Sequence, residues 1–142
     1  MISIFRKKDF LIDHLAGITD IHNHILPGID DGAQNLEESI GLLEKFRDLG
    51  ITKFIATPHI MNDYYPNTPE TITASLGLLK KEISKNEKLR NTEIRFAAEY
   101  MMDQNFLELI KTEKLLGLKE NMVLVEMSYF QAPINLNEIL FK

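Results

Sequence analysis

Two histidines separated by a single residue, His22 and His24, are the clearest sign of chemistry in this sequence. They lie in an apolar run, residues 18–25, that has the character of a β-strand. Alternate side chains of a strand point to the same face, so the two imidazoles would be able to bind one metal ion together. Asp30 and Asp31 follow on a turn rich in proline and glycine, close enough to serve the same centre. This segment therefore predicts a metal site.

Three later apolar runs carry further candidate ligands at or near their C-terminal ends: His59 after residues 51–56, Glu99 in residues 92–100 and Glu126 in residues 122–127. A carboxylate buried alone among apolar neighbours is costly, and a metal ion would compensate its charge. Nitrogen and oxygen ligands without sulfur suit manganese, iron or magnesium as readily as zinc. The ligand types thus do not identify which metal is bound.

Each candidate also has a purely structural interpretation. Asp30 could serve only in an Asx-type turn, and the spacing favours Asp31 as the ligand. His59, which follows a proline, could cap the end of a strand, and the two glutamates could be exposed at a frayed sheet edge. His14 lies outside the pattern, and we expect it to be a surface residue.

The four apolar runs alternate with helical patterns, each beginning at a residue that can cap a helix: Asn35, Thr68, Asp103 and Asn135. A glutamate three residues after Asn35 and after Asn135 predicts a capping box at both. We expect the first three helices to end near residues 49, 88 and 116. The alternation predicts an α/β fold of about four βα units with parallel strands, whose C-terminal ends meet at one rim.

Composition limits the class of protein. The 142 residues are 44% hydrophobic, enough for one domain, which we place at residues 18–142 after a lead-in at residues 1–17. A net charge of -5 without a basic cluster argues against a nucleic-acid partner. No apolar run approaches the ~20 residues of a membrane span, so we expect a cytoplasmic protein. The absence of cysteine excludes a thiolate nucleophile.

The last helical pattern stops after about two turns, at residue 142. A closed parallel barrel needs about 250 residues, so we expect an incomplete, apparently truncated barrel. Exposed sheet edges in such a chain would favour self-association, and a homo-oligomer is the resulting expectation.

The motifs Asp-Ile-His-Asn-His-Ile-Leu-Pro-Gly-Ile-Asp-Asp-Gly, Ile-Ala-Thr-Pro-His, Ala-Ala-Glu-Tyr and Leu-Val-Glu-Met-Ser occur in this order. Together they resemble the polymerase-and-histidinol-phosphatase (PHP) superfamily. Within it they resemble the N-terminal portion of bacterial manganese-dependent tyrosine-protein phosphatases of capsule and exopolysaccharide loci. The resemblance implies a distorted (β/α)7 barrel that holds up to three ions, with Mn²⁺ as the expected metal.

The resemblance also implies a role for each ligand. His22, His24 and Glu99 would hold the first ion, Glu99 would bridge to a second ion joined by Glu126, and Asp31 and His59 would hold the third. Asp31 and His59 are the expected catalytic residues. The family completes these sites with a later His-Pro-Glu-Arg-type segment and a later Asp-x-His pair, and this sequence contains no histidine after His59.

The expected reaction is hydrolysis of phosphotyrosine in the tail of a polysaccharide-export kinase. The tyrosine phenolate leaves readily because its pKa is about 10. Tyr64 and Tyr65 could contact the incoming phenol ring or simply pack their loop. Two alternatives stay open: a phosphatase for a small ester such as histidinol phosphate or for a nucleic-acid end, and a catalytically incomplete remnant that serves as an assembly module.

Overall fold

The computed structural model describes residues 8–112 and 115–141. Strands and helices alternate along them in four βα units: β1 (Thr19–Asp20), α1 (Leu36–Asp48), β2 (Lys53–Ala56), β3 (His59–Ile60), α2 (Pro69–Ile83), β4 (Glu93–Phe96), β5 (Glu99–Met101), α3 (Gln104–Thr112), β6 (Leu124–Glu126) and α4 (Leu136–Leu140). Short 3₁₀ helices lie at Leu11–His14 and Glu87–Leu89. The predicted α/β class is confirmed. Residues 1–7 of the predicted lead-in lie outside the described residues.

All strand pairs between these elements are parallel. They form two three-stranded sheets, with the orders β1-β2-β4 and β3-β5-β6. The apolar run over residues 92–100, predicted as a single strand, is therefore divided between β4 of one sheet and β5 of the other. Pro58, which has no N–H to donate, separates β2 from β3, and its carbonyl accepts a hydrogen bond from Glu99 N at 3.0 Å. Through this hydrogen bond the pairing of β3 with β5 begins just beyond the end of β2.

The first strand is shorter than predicted. We expected a strand over residues 18–25, but β1 ends at Asp20, so His22 and His24 lie in the loop that follows. Asn23 accounts for the change, because its N–H donates to the Thr57 hydroxyl at 3.0 Å and its Nδ2 donates to Ile55 O at 3.2 Å. Thr57 N donates in turn to Asn23 O at 2.9 Å. Beside the end of β2, these hydrogen bonds of Asn23 thus take the place of regular strand pairing.

All four predicted capping residues directly precede a helix, and three of them cap it through their side chains. The side chains of Asn35 and Thr68 each accept a hydrogen bond from the backbone N–H three residues on, and Asp103 Oδ1 accepts from Phe106 N at 2.8 Å. The prediction for Asn135 is wrong, because its side chain makes no cap bond and donates instead to Gln104 Oε1 at 3.2 Å.

Two helices end before the predicted position. Helix α2 ends at Ile83 rather than near residue 88, because Asn86 caps the separate 3₁₀ turn through Lys88 N. Helix α3 ends at Thr112, and residues 113–114 of the predicted helix lie outside the described residues.

The core lies between the sheets and helices α1 and α2. Its fully buried aliphatic side chains are Ile25, Leu26, Leu43, Ile72, Leu79, Leu89 and Leu107. Among the described residues no helix is long and apolar enough to cross a membrane. Because the strand pairs of the first sheet are parallel, the C-terminal ends of β1, β2 and β4 form one rim, and β3 and β5 of the second sheet begin just beyond it.

Candidate metal centre

Glu99 is the centre of a cluster of side chains at this rim. It opens β5, its side chain is 6% exposed, and its carboxylate faces three imidazoles. The Oε1–Nε2 distance to His22 is 3.1 Å, and the Oε2 atom lies 3.4 Å from His24 Nε2 and 3.4 Å from His59 Nδ1. Histidines from two different segments thus converge on one buried carboxylate.

His59 and Glu126 lie on the other side of that carboxylate. Their atoms Nδ1 and Oε1 are only 2.7 Å apart, yet among the described residues neither atom has a hydrogen bond of acceptable geometry. Both atoms are buried, and an unsatisfied buried polar atom is costly. Two unsatisfied ligand atoms side by side are the arrangement that a cation between them would satisfy. The residues present therefore fit a divalent metal ion.

Asp31 lies at the edge of the cluster. Its side chain is 60% exposed, and its Oδ1 lies 3.4 Å from Nε2 of His59. The ligand atoms of three groups of described residues lie within 4.8 Å of one another: His22, His24 and Glu99; His24, Asp31 and His59; and His59, Glu99 and Glu126. The first group is the set that the resemblance assigns to one ion. The structure brings together all six residues predicted as ligands, whereas their roles as ligands stay predictions.

Asp30 has a larger part in this site than the sequence indicated. Its Oδ1 accepts from Gly32 N at 3.0 Å, which is the Asx-type turn that was one interpretation of this residue. Its Oδ2 also lies 2.9 Å from Nδ1 of His24 and accepts from His59 N at 3.2 Å. The sequence carries no signal for these two contacts, because they depend on the path of the loop after β1.

The pKa values of the buried groups follow from these contacts. The hydrogen bond to Asp30 raises the pKa of His24, although burial opposes the shift. Burial alone would raise the pKa of Asp30, but hydrogen bonds from His24, Gly32 and His59 outweigh it and lower the pKa. Burial raises the pKa of Glu126, and the neighbouring Glu99 adds to the increase. A carboxyl group with a raised pKa is one whose negative charge lacks compensation.

Gly32 allows the loop after β1 to fold back on itself. A Cβ atom at this position would lie 2.0 Å from the backbone oxygen of His24, closer than any side chain tolerates. Ala33 N also donates to His24 O at 3.0 Å. The glycine therefore brings the Asp30–Asp31 turn against the segment that carries His24.

Asn67 connects two segments of the site, and sequence reasoning missed it. Its Nδ2 donates to Ile29 O at 2.8 Å and to His59 O at 2.9 Å. One amide thus fixes the separation between the loop that carries Asp31 and the strand that carries His59. The surrounding polar loop marks a turn, but nothing in its composition distinguishes this asparagine from its neighbours.

The two tyrosines predicted at the mouth of the site differ in position. Tyr65 stacks on the imidazole of His59, with a ring-centroid distance of 5.5 Å and an interplanar angle of 16°. Tyr64 is 75% exposed and lines a groove of about 320 Å³. Met101 and Ser128 line the same groove. Contact between either tyrosine and a substrate stays a prediction.

The fold and the rim define an α/β protein with parallel strands and a histidine–carboxylate cluster of the metal-binding type. The cluster lies where β1, β2 and β4 of the first sheet have ended and where β3 and β5 of the second sheet begin. The profile of the capsular polysaccharide synthesis family CpsB/CapC matches residues 18–140. This chain belongs to that family, which confirms the resemblance inferred from its motifs.

Individual relatives agree with this assignment. The chain is 33% identical over 119 residues to the tyrosine-protein phosphatase YwqE of Bacillus subtilis (strain 168), which covers 80% of this chain and 44% of YwqE. It is 31% identical over 126 residues to the tyrosine-protein phosphatase CpsB of Streptococcus pneumoniae, covering 85% of this chain and 51% of CpsB. CapC of Staphylococcus aureus is 30% identical over 126 residues, 88% of this chain and 49% of CapC.

A solved structure also has a fold similar to that of this chain. It comes from a study of YwqE from Bacillus subtilis and CpsB from Streptococcus pneumoniae, which are described there as unique metal-dependent tyrosine phosphatases. The match has a TM-score of 0.74 at 27% identity and covers 86% of this chain and 49% of the solved chain. The chain thus spans about half the length of the relatives it matches.

Proposed function

We propose that this chain supplies metal-binding residues of a metal-dependent phosphatase that hydrolyses phosphotyrosine. The convergence of three imidazoles on the buried carboxylate of Glu99 carries the proposal. Membership of a family whose relatives are tyrosine-protein phosphatases supports the choice of substrate. The substrate we propose is a phosphotyrosine protein, the phosphorylated tail of a polysaccharide-export kinase.

Manganese is the metal that we propose for this centre. Divalent ions held by His22, His24, Asp31, His59, Glu99 and Glu126 would supply a water of lowered pKa and neutralise charge on the phosphate. Nitrogen and oxygen donors of this kind accept manganese, iron, magnesium or zinc. The six residues do not discriminate among these metals, and the family resemblance is what supports the choice of Mn²⁺.

In this proposal the side chains of the chain bind the metal ions and orient one another. The buried carboxylate of Glu99 and the partly buried carboxylate of Glu126 supply negative charge for cations, and the three histidines supply neutral donor atoms at the same place. Tyr65 restricts the orientation of the His59 ring by stacking on it. In this proposal His59 also assists the departure of the tyrosine oxygen, which needs little help because a phenol has a pKa of about 10.

The test is hydrolysis by the purified 142-residue chain with added Mn²⁺, with a phosphotyrosine peptide and histidinol phosphate as parallel substrates. We expect faster turnover of the phosphotyrosine peptide, and loss of that turnover in His22→Ala but not in His14→Ala. Faster turnover of histidinol phosphate would overturn the choice of substrate. Bound Mn²⁺ without turnover of either substrate would favour the alternative of a catalytically incomplete remnant.

Self-association and a cytoplasmic location stay predictions. Several large apolar side chains are more than 80% exposed at the C-terminal end of the described chain: Tyr129, Phe130, Ile134 and Phe141. Exposed apolar surface of this kind favours association. Comparison of the mass in solution with the monomer mass of 16.4 kDa tests this, and a monomer at every concentration would contradict it.

A further inference from the structure

Asp30 is a buried carboxylate whose hydrogen bonds all go to segments that carry candidate ligands. Its side chain is 0% exposed, with Oδ2 2.9 Å from Nδ1 of His24. The same oxygen accepts from His59 N at 3.2 Å, and Oδ1 accepts from Gly32 N at 3.0 Å. Asp30 belongs to none of the three groups of described residues whose ligand atoms converge. It therefore contacts the candidate centre through other residues.

We propose that Asp30 is a positioning residue that fixes the tautomer and ring orientation of His24. The proposal rests on the proposed metal-binding function of His24. An ionised carboxylate can only accept hydrogen bonds, so Nδ1 of His24 must carry the proton. In the neutral ring, Nε2 then keeps its lone pair. That nitrogen lies 3.4 Å from Glu99 Oε2, on the side of the cluster.

This arrangement gives His24 the form that a metal ligand needs. Ligating histidines commonly donate their second ring N–H to a carboxylate, which fixes the ring and makes the ligating nitrogen more basic. The bond to His59 N extends the effect, because the same Asp30 oxygen ties β3 to the His24 ring. One side chain thus sets the distance between two candidate ligands from different segments.

A purely structural role is the competing explanation, in which Asp30 only shapes its turn through Gly32. The variant Asp30→Asn separates the two, because an asparagine has one accepting atom where Asp30 has two. If the NH₂ group replaces Oδ2, the bond from His59 N is lost, and the NH₂ group donates to Nδ1 of His24, so that the proton moves to Nε2. If it replaces Oδ1, the bond from Gly32 N is lost. The first arrangement changes the tautomer and the second changes only the turn.

Imidazole ¹⁵N spectra of the metal-free chain, recorded above the titration range of its histidines, test the proposal. We expect His24 to carry its proton on Nδ1 in the unmodified chain and to shift toward the Nε2–H form in Asp30→Asn. Mn²⁺ affinity, measured from the electron paramagnetic resonance signal of the free ion, should fall by about 10–100-fold in the variant.

Ser75→Ala is the matched control. Ser75 is buried, and its hydroxyl donates to Pro27 O at 3.0 Å in the same loop, without touching a histidine. We expect this variant to lower the midpoint of thermal unfolding while the His24 tautomer and the Mn²⁺ affinity stay unchanged. If Asp30→Asn and Asp30→Ala, which lacks both accepting oxygens, each behave in the same way as Ser75→Ala, Asp30 is structural only and the proposal is overturned.

Two further outcomes distinguish a failure of this proposal from a failure of the proposed function. If Asp30→Asn does not fold, the spectrum of the unmodified chain decides, because a proton on Nε2 of His24 there contradicts the proposal. If the chain binds no Mn²⁺ but His24 carries its proton on Nδ1, the proposed function fails while the positioning of His24 by Asp30 is supported. The tautomer is thus measured independently of metal loading and of hydrolysis.

Discussion

The candidate centre has two halves that are held in different ways. The strand group, His59, Glu99 and Glu126, lies on the second sheet with side chains 12%, 6% and 26% exposed. The loop group, His22, His24 and Asp31, lies after β1 with side chains 53%, 22% and 60% exposed. The two halves meet at Glu99, which contacts His22 and His24 from one side and His59 from the other.

Strand register explains the order of the strand group. His59 is directly opposite Glu99 in the pairing of β3 with β5, and Glu126 is opposite Met101 in the pairing of β5 with β6. Backbone hydrogen bonds therefore fix these positions together with the sheet. The loop group has no such ladder, and its geometry depends on single side chains such as Asp30 and Asn67. We expect changes in the loop group to alter metal affinity with little effect on the fold.

Replacement of Glu99 by glutamine should have the largest effect. The change keeps the shape of the side chain but removes the charge that faces three imidazoles, so both halves lose their common partner. We expect Mn²⁺ affinity to fall by more than about 100-fold, beyond the loss seen for groups that only support a ligand. Titration calorimetry with Mn²⁺ measures the change. Glu93→Gln, at the exposed start of β4, is the control, and equal affinities in the two variants would contradict the assignment.

Replacement of His22 by alanine should have a smaller effect. His22 is half exposed, and its contact within the cluster is with Glu99. We expect a loss of Mn²⁺ affinity of about 10–100-fold, with the free energy of unfolding of the metal-free chain nearly unchanged because an exposed side chain contributes little. His14 lies away from the cluster with its side chain 63% exposed, so His14→Ala should change neither the Mn²⁺ affinity nor the free energy of unfolding. A loss as large as that of Glu99→Gln would remove the distinction between the two halves.

The same division explains what the sequence could predict. The strand group was found because His59, Glu99 and Glu126 lie at or near the ends of apolar runs, and the C-terminal ends of parallel strands were expected to meet at one rim. In the structure Glu126 ends β6, whereas His59 and Glu99 open β3 and β5. The alternation of those runs with capped helices predicted the fold class for the same reason. These features depend on local patterns, which a sequence carries directly.

The loop group was identified for a reason that the structure corrects. His22 and His24 were expected on a strand, where alternation would place them on one face, but β1 ends at Asp20. The contacts of Asn23 with Thr57 and of Asp30 with His24 join residues 34 and 6 positions apart, and no local pattern indicates such contacts. The ligand types were visible in the sequence, whereas the hydrogen bonds that orient them were not.

Replacement of Gly32 by alanine should disturb the loop group alone. The new methyl group would meet the backbone oxygen of His24 at 2.0 Å, and the turn must move to relieve the clash. We expect a loss of about 3 kcal/mol in the free energy of unfolding, at the upper end for overpacking because the clash is with backbone atoms of His24. Mn²⁺ affinity should fall about tenfold, at the lower end for supporting groups.

Gly41 provides the matched control for this change. It lies within α1, and a Cβ atom there would meet nothing within 4 Å. Gly41→Ala should therefore stabilise the chain by about 0.5–1 kcal/mol, because alanine favours a helix more than glycine does. Chemical denaturation of the two variants measures both effects. An unchanged stability and metal affinity in Gly32→Ala would show that the loop does not depend on this close approach.

Replacement of Tyr65 by alanine should have the smallest measurable effect. Its ring stacks on His59 at 5.5 Å between centroids, so a loop residue supports the strand group at this point. An aromatic contact of this kind contributes about 0.5–1.5 kcal/mol, which corresponds to at most a loss of about 2–12-fold in Mn²⁺ affinity if the stacking orients His59. Tyr65→Phe keeps the ring and should bind as the unmodified chain does. Tyr64→Ala removes a 75% exposed ring that lies beside the groove, and we expect no change. A loss in Tyr65→Phe equal to that in Tyr65→Ala would assign the effect to the hydroxyl group, and the stacked ring would then have no part in holding His59.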